Sequence, residues 1–111
     1  MAHVPNADRA IFDIRKIEDY CLSPAHPRGR HKARVFREAL GLSQSDAHWL
    51  REVLLGGLRQ CEAIALATDD LGSRWRVDVP VARHGKRVVV RTVWILRRGE
   101  QMPRFVTCWV L

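Results

Sequence analysis

A chain of 111 residues, 47% of them hydrophobic, suits one domain with a modest core and is too apolar to remain unfolded. Lysine and arginine number 19 against 12 aspartates and glutamates, a formal net charge of +7, so an anionic partner is expected, with RNA or another nucleic acid first. Cys21, Cys61 and Cys108 are odd in number and far apart, which argues against a disulfide framework or a zinc cluster.

The cations are mostly arginine, whose planar fork grips phosphate or carboxylate in two places at once. The first residues lack the apolar centre of a signal peptide. No apolar run approaches the roughly 18 to 20 residues that span a membrane. A cytoplasmic protein with no metal, no cofactor and no membrane partner is expected.

In chain order, residues 1–8 read as a polar arm. Asp13 can cap a short helix over "IRKIEDYCL", with Ile14, Ile17 and Cys21 on one face. Pro24 and Pro27 hold "SPAHPRG" out of helix. A second helix is predicted from about Arg30 to Leu40, with Gly41 as its stop. Ser43 and Asp46 have capping-box spacing and open a third helix, whose buried stripe is Trp49, Leu50, Val53, Leu54 and Leu58.

"AIALA" fits helix or strand equally, and "DDLG" is a turn. From there the period becomes two. "RWRVDVPVA" puts Trp75, Val77, Val79 and Val81 on one face. "RVVVRTVWILR" is apolar on both faces, as a central strand would be, and "RFVTCWVL" closes the chain. The four tryptophans read as core, with Trp109 also able to serve at a surface. The expected fold is α+β: N-terminal helices packed on a three- to four-stranded antiparallel meander. It forms a single domain over 1–111, with a helical half at 9–58 and the sheet at 73–111.

The stretch "HPRGRHKARVF" breaks a local rule. Cations raise the energy of a helix N-terminus by a few tenths of a kcal/mol each, because free backbone N–H groups already make that end positive. A bound phosphate would offset Arg28, Arg30, His31 and Lys32, and Gly29 would let backbone approach it. On the helical wheel Lys32 falls within the arc of Ala33, Phe36 and Leu40 and reaches over the fold. His31 turns towards Arg34, Glu38 and solvent. Lys32 could instead lay its stem on the core edge and snorkel outwards.

Two sheet positions stand out. Arg91 shares a strand face with Val89, Val93 and Ile95, and needs either a carboxylate such as Asp78 or a ligand phosphate. Thr107 alternates with Phe105 and Trp109, which puts a hydroxyl on an apolar face. Cys21, His26 and His31 have no standard zinc spacing.

The segments "NADRAIFDIRKIEDYCLSPAHPRGRHKARVFREALGL" and "VVVRTVWILRRGEQMPRFVTCWVL" resemble a family of small bacterial proteins known as a domain of unknown function. The shared pattern is His-Pro-x-Gly-x-x-Lys-Ala-x-x-Phe, an Arg-Thr-x-Trp-Ile strand, and a final Pro-Arg-hydrophobic-Val-Thr strand. It is similar in turn to the C-terminal domain of Mu-like phage minor head proteins. Through them it is similar to the metal-independent ribonuclease fold of barnase, EndoU, colicin-type and RelE-like nucleases.

The positions matching the resemblance are His26, Gly29, Lys32, Arg91, Thr92 and Thr107. It implies a toxin-type ribonuclease that uses the RNA 2′-hydroxyl as nucleophile. His26 would be general base, Lys32 and Arg91 would hold the phosphate, and Thr107 would orient one of its oxygens. Arg28, Gly29, Arg30, His31 and Thr92 would complete the phosphate-binding surface. A small acidic antitoxin or immunity protein would be the partner. The alternative is a non-catalytic module that binds nucleic acid or an acidic protein through the same face.

Overall fold

The computed structural model describes residues 2–111. Two helices, α1 (Arg30–Leu40) and α2 (Ala47–Gln60), precede four strands: β1 (Ala63–Asp69), β2 (Gly72–Arg83), β3 (Lys86–Arg97) and β4 (Arg104–Val110). The strands form an antiparallel meander in the order β1-β2-β3-β4, so the fold is α+β with helices first in sequence. Among the described residues no helix is long and apolar enough to cross a membrane.

Local chemistry explains the helix limits. Gly41 adopts φ 67° and donates its N–H to the Arg37 carbonyl at 2.9 Å, a left-handed stop that glycine tolerates best. Before α2 the Asp46 carboxylate accepts the Ser43 N–H at 2.9 Å, closing the capping box.

Alternation sets the sheet. Val77, Val79 and Val81 of β2 lie opposite Thr92, Val90 and Val88 of β3, and their shared face packs under the helices. Phe36, Leu40, Leu50, Leu54 and Leu58 cover it and are at most 1% exposed. Burying each such side chain stabilises the fold by about 1.5–3 kcal/mol before entropy is counted. A Cβ on Gly57 would sit 2.4 Å from Val79, so that glycine lets α2 lie directly on β2.

Several expectations need correction. "AIALA" is strand: β1 pairs antiparallel with β2, so the sheet begins at Ala63 rather than residue 73. Its residues are apolar on both faces, so no polar–apolar alternation separates strand from helix. Of the arm expected at 1–8, the described residues 2–8 belong to the fold, and residue 1 lies outside the described residues. Val4 is buried, the Ala63 N–H donates to the Ala2 carbonyl at 2.9 Å, and Asn6 Nδ2 donates to the Gln101 carbonyl at 2.8 Å.

The first helix covers residues 15–21 and is π-helical over Ile17–Cys21; at its start the Asp13 carboxylate accepts the Arg15 N–H at 3.0 Å, as a cap does. Trp49 is 36% exposed, with the Arg83 guanidinium 5.0 Å from its ring, and only Trp94 among the tryptophans is fully buried.

β4 carries a bulge. Phe105 pairs with Trp94 but Thr107 pairs with Val93, so Val106 is the extra residue. Phe105 and Cys108 therefore face the core, three residues apart. Thr107 leaves the Phe105 row to which simple alternation assigned it.

Candidate phosphate cleft

β4 is an edge strand, and its outer edge is occupied in sequence by other parts of the chain. Ile11 pairs in parallel with Arg104 at its start. The Lys16 ammonium donates to the Phe105 carbonyl at 3.1 Å. Lys32 then donates to Thr107 Oγ1 at 2.8 Å, across 75 residues of sequence. A cleft of about 630 Å³ opens here, lined by the carboxylates Asp13 and Asp19, the cations Arg15, Lys16 and Lys32, and by Tyr20, His26 and the β4 bulge.

Lys32 dominates this cleft. Its Nζ lies 5.0 Å from the centre of the Tyr20 ring and 5.3 Å from that of Trp109, within cation–π range of both. The other half-buried lysines and arginines (Arg51, Arg74, Arg76, Arg83, Arg91 and Arg104) each have a carboxylate within 4.0 Å. Among the described residues Lys32 has none. Thr107 uses one of its three N–H donors, and the rest can take an anion.

His26 also lines the cleft, edge-on to Tyr20 with ring centres 4.6 Å apart. Its Nδ1 accepts the N–H groups of Arg28 at 3.0 Å and Gly29 at 2.9 Å. Backbone amides can only donate, so Nδ1 carries the lone pair and the ring proton sits on Nε2. In this arrangement His26 caps the approach to α1 and offers the cleft a donor. The general-base role needs a free lone pair, and this geometry leaves none on Nε2.

Gly29 serves packing rather than ligand approach. A Cβ there would lie 2.0 Å from the Tyr20 carbonyl oxygen, so only glycine lets α1 begin against the π turn. The basic stretch is also divided by α1. Lys32 and His26 look into the β4 cleft. Arg30 and His31 line a second groove of about 600 Å³ on the helix's other flank, with Arg34, Arg37 and Ser43. Arg28 is exposed and lines neither of these grooves.

Arg91 is not an inward, uncompensated charge. Its Nε and Nη2 bond Asp78 Oδ1 and Oδ2 at 2.9 and 3.0 Å, a bidentate pair between neighbouring strands. The Arg91 guanidinium holds the Asp78 carboxyl below its ordinary range, against a smaller opposing effect of burial. β3 turns Val90, Thr92 and Trp94 to the core, so Arg91 is on the opposite face, across from Trp109. Thr92 is fully buried: its hydroxyl donates to the Val77 carbonyl at 2.6 Å and accepts Trp94 Nε1–H at 2.7 Å. Neither of its bonds leaves the core.

Sequence reasoning missed Tyr20, Lys16 and the meeting of Cys21 with Cys108. Lys16 precedes and Tyr20 lies within an irregular turn with no period to read. The two cysteines are 87 positions apart, yet their sulfurs lie 3.9 Å from each other. Cys21 thus meets a second thiol.

A family model described as a domain of unknown function (DUF6883) matches residues 3–111. No curated protein and no solved structure matches the chain.

Proposed function

This chain belongs to the DUF6883 family, and we propose that it binds RNA through the phosphate backbone at the β4 cleft. The observation that carries this reading is Lys32, the half-buried cation without a carboxylate. A charge taken partly out of water needs a counter-charge, and a phosphate oxygen would supply it. His26 Nε2–H adds a second donor and Lys16 a further cation along the same edge. Tyr20, which also lines the cleft, adds an aromatic ring beside which a sugar or base can lie. Arg30 and His31, across α1, would steer the strand from outside.

A second reading, the toxin-type endoribonuclease, is favoured by the convergence of His26, Lys32 and Thr107 in one cleft. The RNA 2′-oxygen would attack phosphorus, its proton passing to a base. The bond from phosphorus to the 5′-oxygen would break and that oxygen would take a proton from water, leaving a cyclic phosphate and a 5′-hydroxyl. Lys32 would offset charge building on the phosphate, with Thr107 beside it. For His26 to be the base it must first release the Arg28 and Gly29 amides. A small acidic protein covering the cleft would inhibit either activity.

The test uses labelled single-stranded RNA with the intact protein and with Lys32→Gln, in excess chelator. Binding that weakens steeply with salt and is lost in the variant supports the cleft. Equal binding by both proteins refutes it. Fragments ending in cyclic phosphate would promote the second reading, and His26→Asn then separates a base from a cap: only a base would be required for cleavage in a protein that still binds.

A further inference from the structure

We propose that Cys21 and Cys108 form a reversible thiol–disulfide site beneath the β4 cleft, oxidised by a hydroperoxide. Their sulfurs are in van der Waals contact at 3.9 Å, with Cys108 S–H directed at Cys21. Cys21 Sγ also lies 4.0 Å from Thr107 Oγ1, the atom that Lys32 grips from the cleft side. One hydroxyl group therefore separates the Cys21 sulfur from the cleft floor. Both thiols are buried and neither lines the cleft, so a peroxide, barely larger than water, reaches Cys21 when the Thr107 side chain on the cleft wall moves aside.

The surroundings give the two sulfurs different roles. The hydrogen bond from Cys108 favours the Cys21 thiolate, and the Lys32 charge assists, while burial opposes. Cys108 is pushed the other way, by Cys21 and by burial. Cys21 is thus the attacking sulfur and Cys108 the resolving one. Cys21 also ends the π-helical turn, a rare backbone form that is frequent at functional sites.

The chemistry balances. With hydrogen peroxide, the Cys21 sulfur attacks one oxygen and the O–O bond breaks. The other oxygen leaves as water with the thiol proton, and Cys21 becomes a sulfenic acid. The Cys108 sulfur then attacks the Cys21 sulfur. The S–O bond breaks, and a second water leaves with the Cys108 proton. Two thiols are oxidised and one peroxide is reduced. A small dithiol reductant reverses the bond by exchange.

Closing the bond shortens the sulfur separation from 3.9 Å to about 2.05 Å. The neighbours of these two residues, Tyr20 on one side and Thr107 and Trp109 on the other, are the groups that seat Lys32. Oxidation therefore reshapes the cleft at its cation. The consequence for RNA rests on the function proposed above, whereas the bond and its effect on Lys32 do not.

The experiment treats the intact protein with hydrogen peroxide, blocks remaining thiols after unfolding, and maps peptides by mass. Joined peptides containing Cys21 and Cys108, restored by dithiothreitol, are expected, with the half-buried Cys61 as the internal comparison. Acylation of Lys32 by acetic anhydride, read from the same digests, should change severalfold between the two forms, whether or not RNA binds. Cys108→Ser should leave a sulfenic acid on Cys21 that dimedone traps. Modification of Cys61 alone, or a bridge that leaves Lys32 acylation unchanged, would overturn the proposal.

Discussion

Lys32 and Arg91 are both half-buried cations beside Trp109, and the chain treats them in opposite ways. Arg91 meets Asp78 through two hydrogen bonds on the adjacent strand. Lys32 meets a hydroxyl and two aromatic rings. The first arrangement is complete in itself, because the guanidinium and carboxylate cancel each other. The second leaves a net positive charge at the edge of a cleft. What marks a site in this molecule is the missing counter-charge rather than the presence of a cation.

The comparison can be broken first at the backbone that holds the cleft. Gly29→Ala forces a Cβ into the Tyr20 carbonyl and should cost about 3 kcal/mol or more, the upper part of the range for overpacking. Thermal unfolding would show it as a large fall in the melting midpoint. A melting curve like that of the unaltered chain would mean that α1 and the π turn are not locked as described.

Lys32→Gln comes next and should separate function from stability. RNA affinity should fall at least about tenfold, or about 1.4 kcal/mol, consistent with losing a charge-assisted hydrogen bond. The melting midpoint should stay level or rise. Arg91→Ala should do the reverse: a drop of a few degrees, since the pair is part-exposed and solvent weakens it, with RNA affinity nearly unchanged. If Arg91→Ala abolished binding instead, the contrast between the two residues would fail.

The smallest effect is a pH dependence. The Asp78 carboxyl is held below its ordinary range by Arg91. A group depressed in the folded state contributes stability that is present above its unfolded pKa of about 3.9. That contribution is lost as pH falls from there through the lowered folded value. Asp78→Asn should therefore lose stability at neutral pH and show a shallower acid decline below about pH 4. Parallel acid profiles for the two proteins would show that Asp78 gains nothing from Arg91.

Much of the fold is legible in the residues, because periodicity and capping are local. The α1 limits, the Ser43–Asp46 box and the Val77–Val79–Val81 face follow from neighbours a few positions apart. Lys32 could be placed over the fold in the same way, since a helical wheel needs only the helix. β1 was not legible, because its residues are apolar on both faces and give no contrast between them. The bulge at Val106 was not legible either, and it moved Thr107 off the row that alternation assigned.

The sequence by itself determined an α+β domain, a basic surface, and a helix whose first turn carries cations. Only the tertiary structure decided which cation lacks a carboxylate, which histidine nitrogen keeps its proton, and which two thiols touch. The reason is physical. Helix and strand patterns arise from hydrogen bonds between near neighbours, and sequence spacing reports them. Charge compensation and sulfur contact depend on strand register and packing across 75 and 87 residues of chain.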